Sequence, residues 1–205
     1  MSAMKSVSSV YGILVGLAGV EHGILEILQG NTPTDGFLID AIGDAYRFWP
    51  GAGERALTIV ANFLWTGVLA VVFGVLVTIW AAKFVERNRG ASVLLVLTMS
   101  LFLVGGGFAP IVMSIIAVIA ATRIGAPLGW WRSHISGSSR VILTGLWPWI
   151  LTLFVLIFWS TVAIQIFGLP LPTEAVTSVV GTLTVVLVLL MVSVPVVGAA
   201  YDFGA

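Results

Sequence analysis

Five apolar stretches dominate this chain: Ser9–Gln29, Ala56–Ala82, Ala91–Ala121, Ile150–Phe167 and Ala175–Ala200. A helix that crosses a bilayer needs about 20 mostly apolar residues, whereas a spanning strand needs only about 10. In lipid, backbone amides must pair within the protein, and runs of this length do so as helices. The chain is therefore read as an all-α, polytopic helical membrane protein with four or five transmembrane helices. No polar stretch is long enough for a second domain, so residues 1–205 form a single membrane domain. Composition agrees: 9% of residues are charged, against about a quarter in soluble domains.

The lipid bilayer is the expected partner. Nine basic and nine acidic residues cancel, and no segment joins basic to aromatic residues as a nucleic-acid surface would, so nucleic acid is not expected. With no Cys, disulfides, thiolate metal sites and cysteine nucleophiles are excluded. The first stretch follows Lys5 and lacks a small-residue cleavage site, so it is expected to be a retained helix rather than a signal peptide. Lys83, Arg87 and Arg89 close the second stretch and place that loop in the cytoplasm of a cell membrane. The N-terminus is then inside and Gly30–Arg55 outside.

The helix count turns on Ala91–Ala121, which is long for one crossing and has basic residues on both flanks. Gly105, Gly106 and Gly107 interrupt it, and Pro110 lacks an amide donor, so these four residues form a candidate hinge. We read the segment as one tilted or kinked crossing. The alternative is a re-entrant pair of short helices hinged at the glycines, which keeps both basic loops inside.

His22 and Glu26 are the residues most out of place. They lie within the first apolar stretch, one turn apart on one helical face, with Glu21 beside them. Ionisable groups at such depth are costly and mark candidate sites. Counting from the outer ends of the first two helices, His22 is about 10 Å deep, Glu26 about 5 Å and Asn62 about 9 Å. A polar cluster of Glu21, His22, Glu26, Asn62 and Trp65 is therefore expected. Gln165 joins it only if its helix ends at the same surface, as the re-entrant arrangement requires. Gly12, Gly16, Gly19 and Gly23 form a small-residue face that predicts close packing against another helix, and Gly67, Ala70 and Gly74 form a similar face in the second stretch.

Within Gly30–Arg55, residues Phe37–Trp49 are expected to form a short interfacial helix. Asp40 and Asp44 would share a face of it, where a divalent cation could bridge them, although solvated carboxylates are the simpler reading. His134 is expected in an exposed loop.

Three functions fit this sequence. The cluster, the glycine hinge and the kink residues Pro110 and Pro195 suit translocation of an ion, a proton or a small solute. So short a chain would need a homo-oligomer for alternating access. A membrane enzyme or redox-associated subunit would use His22 as base, quinone contact or metal ligand. A structural or assembly subunit would use His22 and Glu26 as an interhelical hydrogen bond. No cofactor motif, metal triad or catalytic nucleophile is complete, so cofactor, metal and catalytic residues remain unassigned.

Overall fold

The computed structural model describes residues 2–126 and 137–204. Its helices are α1 (Ala3–Leu28), α2 (Phe63–Lys83), α3 (Gly90–Leu103), α4 (Phe108–Thr122), α5 (Gly137–Phe167) and α6 (Thr173–Gly204). Between α1 and α2 lies a two-stranded antiparallel hairpin, β1 (Leu38–Asp40) and β2 (Arg55–Leu57). A 3-10 turn at Asp44–Tyr46 takes the place of the interfacial helix expected over Phe37–Trp49. Gln29 anchors this loop by donating from Nε2 to the carbonyls of Asp40 and Ala41. Asp40 and Asp44 both bind Arg47, at 3.2 and 3.1 Å, so a cation of the protein's own already bridges them.

Helices α1, α2, α5 and α6 are long and apolar enough to cross a membrane. Their outer faces carry exposed aliphatic residues, such as Val72, Leu76 and Ile79 on α2 and Val185, Leu189 and Val192 on α6. Such faces suit hydrocarbon and would be untenable in water. The protein is thus a helical membrane protein with four candidate spans.

α1 is the central helix, in contact with α2, α3, α4 and α6. Its glycines explain this position. Gly16 faces Gly74, and Gly23 faces Gly67, so closely that a Cβ on Gly23 would lie 2.6 Å from the Gly67 carbonyl oxygen. Each pair is reciprocal, and the order shows that α1 and α2 run antiparallel. Gly12 meets Ala81 of the same helix, whereas Gly19 turns toward Leu101 of α3. With little hydrophobic driving force between helices in lipid, this close backbone approach is a main source of association.

Ala91–Ala121 is not one crossing. It breaks at Val104–Gly107 into α3 and α4, of 14 and 15 residues, each rising only about 21–23 Å. The expectation of a single kinked helix is overturned, and the alternative of two short helices hinged at the glycines is the observed form. Gly105 and Gly107 have φ of +100° and +81°, values that stop a helix and that other residues rarely adopt. Pro110 does not break anything. It sits in the first turn of α4, where an amide would have no helical partner.

The tip of this helical hairpin is sealed by the segment leaving β2. The Gly105 amide donates to the Leu57 carbonyl at 2.9 Å, and the Ile59 amide donates to the Leu103 carbonyl at 2.9 Å. The Thr66 hydroxyl donates to the Val104 carbonyl and shares a 2.6 Å hydrogen bond with Thr58. Non-helical backbone deep in a membrane protein is tolerable only when its polar groups are satisfied in this way.

The bundle consequently has two distinct ends. Lys5 pairs with Glu86 at 2.6 Å, and the Asp202 carboxylate at the end of α6 accepts from Ser2 Oγ and the Ala3 and Met4 amides at the start of α1. We call this the basic end, since Lys83, Arg87, Arg89 and Arg123 also lie there. The loop end holds residues 29–62, the α3–α4 tip and the α5–α6 turn. Cysteine labelling in sealed membranes should reach introduced cysteines at Asp35 and Gly125 from opposite sides. Labelling of both from one side would restore the single crossing.

Candidate functional site

The last two turns of α1 deliver Glu21, His22 and Glu26 to the loop end. His22 is buried, and its Nε2 lies 2.6 Å from Oε2 of Glu54 in the loop before β2. Glu54 is held from two sides. Its own amide donates to Asp40 Oδ1 at 2.8 Å, and the carbonyl of the preceding Gly53 accepts from Gln165 Nε2 of α5 at 3.0 Å. Trp49 strengthens the second tether by donating from Nε1 to the Gln165 carbonyl at 2.9 Å. The loop is thus fastened to α5 and pressed onto α1.

Glu26 is wholly buried, and neither carboxyl oxygen has a partner among the described residues. Nδ1 of His22 and Oε1 of Glu21 are likewise unpartnered. The tip glycines make room for these groups. A Cβ on Gly105 would run into the Glu26 carboxyl, and one on Gly107 would lie 2.7 Å from Nε2 and Cε1 of His22. Burying an unpaired carboxyl costs several kcal/mol, on the order of 5. The cost is relieved by a proton, a hydrogen-bond donor or a positive partner. Among the described residues, no Lys or Arg pairs with Glu21, Glu26 or Glu54.

Beside the cluster is a cavity of about 350 Å³ between α1, α4, α5, α6 and the loop, lined by Glu21, His22, Glu54, Phe108, Thr161 and Gln165 among others. Toward the basic end the bundle is filled. Tyr11 stacks on Phe154 with ring centroids 4.5 Å apart and donates to the Met191 carbonyl at 3.0 Å. Tyr11 and His22 are 11 residues apart on one helix, about 16 Å along its axis. Toward the basic end the site is therefore closed by a packed aromatic layer. One nitrogen of His22 and one oxygen each of Glu21 and Glu54 lie within 4.8 Å of one another, close enough to share a metal ion.

The structure places Glu21, His22 and Gln165 around this cavity, with Glu26 one turn beyond. It removes Asn62 and Trp65. Residues 55–60 are spent on β2 and on sealing the hairpin tip, so α2 begins only at Phe63. Asn62 is then the cap of α2, accepting from the Trp65 amide and donating to Asn31 at 2.8 Å. Trp65 is 59% exposed on the outer surface. The His22–Glu26 bond that a structural subunit would use is not formed, and His22 pairs with Glu54 instead. Sequence reasoning missed Glu54, whose only signal was an acidic residue following Gly51 and Gly53 near the end of a polar loop. His134 lies outside the described residues.

Comparison of the chain with known protein families, with curated proteins and with solved structures finds no match.

Two glycines with positive φ separate strain from collision. Gly125 has φ +69° and open space around its Cβ position, whereas Gly105 faces Glu26. Gly105→Ala should destabilise the folded protein by roughly 1–3 kcal/mol more than Gly125→Ala, the usual cost of overpacking. Thermal unfolding in detergent measures this, and equal losses would mean that the tip does not press on Glu26.

Proposed function

We propose that this protein binds a proton or small cation at the loop end of the bundle and moves it through the membrane. The observation that carries the reading is the convergence of Glu21, His22 and Glu54 on a cavity beside the glycine tip of a helical hairpin, with the buried Glu26 one turn away. Half-helices whose broken ends meet charged groups are a recurrent way to build an ion site inside a membrane. Histidine and carboxylates can pass protons near neutral pH. Movement from the cavity toward the basic end requires the Tyr11–Phe154 layer to part. The α3–α4 tip is the natural moving element, since glycines at its break can absorb a change of φ and ψ. By the positive-inside rule, the basic end faces the cytoplasm and the loop end, with the His22–Glu54 pair, lies toward the outer surface of the cell membrane.

A purely packing role accounts for less. Interhelical glue satisfies its own polar groups, whereas both Glu26 oxygens lack a partner among the described residues and the cluster borders a cavity. The test is proton and monovalent-cation flux in proteoliposomes. Wild-type protein should exceed protein-free vesicles, and His22→Gln and Glu54→Gln should each lower that flux by about tenfold or more, as expected when a positioned proton carrier is lost. Flux equal to protein-free vesicles would remove translocation.

A further inference from the structure

We infer that Glu21, His22 and Glu54 form a three-ligand site for a divalent first-row transition cation, open to the cavity. The inference deepens the cation-handling reading and rests on the same site. The ligand atoms already lie within 4.8 Å of one another. Metal–ligand bonds of about 2.0–2.2 Å in a tetrahedral shell space the ligands about 3.3–3.6 Å apart. Rotation of the two flexible glutamates covers that difference. The 2.6 Å contact between His22 Nε2 and Glu54 is a hydrogen bond, and a cation there takes the place of the shared proton.

Three features beyond the ligand set point to a positive occupant. First, the charges do not balance: two carboxylates face one histidine, with a third, Glu26, one turn away. Arg55 also lines the cavity, but it is exposed and pairs with no carboxylate among the described residues. Second, buried polar atoms are left over. Among the described residues, Oε1 of Glu21 and both oxygens of the fully buried Glu26 lack partners. When a metal occupies Nε2, the ring proton moves to Nδ1, which has no partner among the described residues and is free to be matched by an acceptor. Third, three protein ligands beside an open cavity leave coordination positions for water or a small anion. Such a shell binds exchangeably, whereas a structural site is closed by four protein ligands. One nitrogen and two oxygens suit zinc, manganese or iron(II) better than calcium, which takes six to eight oxygens.

The probe is Co²⁺, titrated into the purified full-length chain in detergent after chelator treatment. The visible d–d absorption of the bound ion reports its ligands, and elemental analysis reports stoichiometry. Wild-type protein should bind one Co²⁺ per chain and release it to Zn²⁺. His22→Gln and Glu54→Gln should weaken binding by more than about 10- to 100-fold, the loss that follows removal of a mere outer partner. Asp44→Asn, at an exposed acid outside the site, should bind as wild type does. Glu21→Gln provides a third ligand variant should either of the first two fail to elute as a folded monodisperse species. No stoichiometric binding by wild type, or unchanged spectra and affinity in folded ligand variants, would overturn the inference. Stoichiometric Co²⁺ binding without proton or cation flux keeps the metal site and removes translocation. Proton flux without Co²⁺ binding keeps translocation and removes the metal site.

Discussion

The backbone pairing between the α3–α4 tip and the segment leaving β2 is the constraint on which the rest of this structure depends. A helix broken inside a membrane protein leaves amides and carbonyls that lipid cannot satisfy. Here Gly105 donates to Leu57, Ile59 donates to Leu103, and Thr66 donates to Val104. Those bonds draw the loop inward from the bundle end. Drawing it inward carries Glu54, just before β2, down to His22. The acid–base pair, the cavity beside it and the late start of α2 are all consequences of one sealed break.

Glycine acts at two levels in this arrangement. Along α1 and α2 it allows backbones to touch, through Gly16 with Gly74 and Gly23 with Gly67, which fixes the height of His22 and Glu26 against the neighbouring helix. At the tip it supplies φ values that stop α3 and leave room for the Glu26 carboxyl and the His22 ring. A side chain at Gly105 would have to displace the carboxyl that most needs a partner. The same absence of Cβ therefore positions the ionisable groups and admits the element that covers them.

Much of this was legible in the sequence, for reasons that are local. Membrane-length apolar runs identified the long helices, and His22 and Glu26 declared themselves by their cost in such a run. The glycine spacing on α1 predicts close packing against another helix, and the structure makes that helix α2. What was not legible depended on contacts between distant segments. Asn62 was placed two turns inside α2 because Ala56–Ala61 is apolar, yet those residues serve β2 and the tip. Glu54 lies 32 positions from His22, and nothing local to either residue pairs them. The break at Gly105–Gly107 was visible, but whether it kinks one helix or turns the chain back depends on the strand that seals it.

The most direct measurement is a disulfide cross-link between the sealing segment and the tip. Thr58 and Val104 form an antiparallel bridge, and paired residues there lie about 4.5–5.5 Å apart at Cα, within reach of a disulfide. The chain has no cysteine of its own to interfere. Oxidation of the Thr58→Cys, Val104→Cys double variant in native membranes should give an intramolecular cross-link in high yield, while a Thr58→Cys, Leu95→Cys control should give none. A double variant that stays reduced under oxidant, with both thiols still open to labelling, would show that the tip does not meet the loop and would contradict the account.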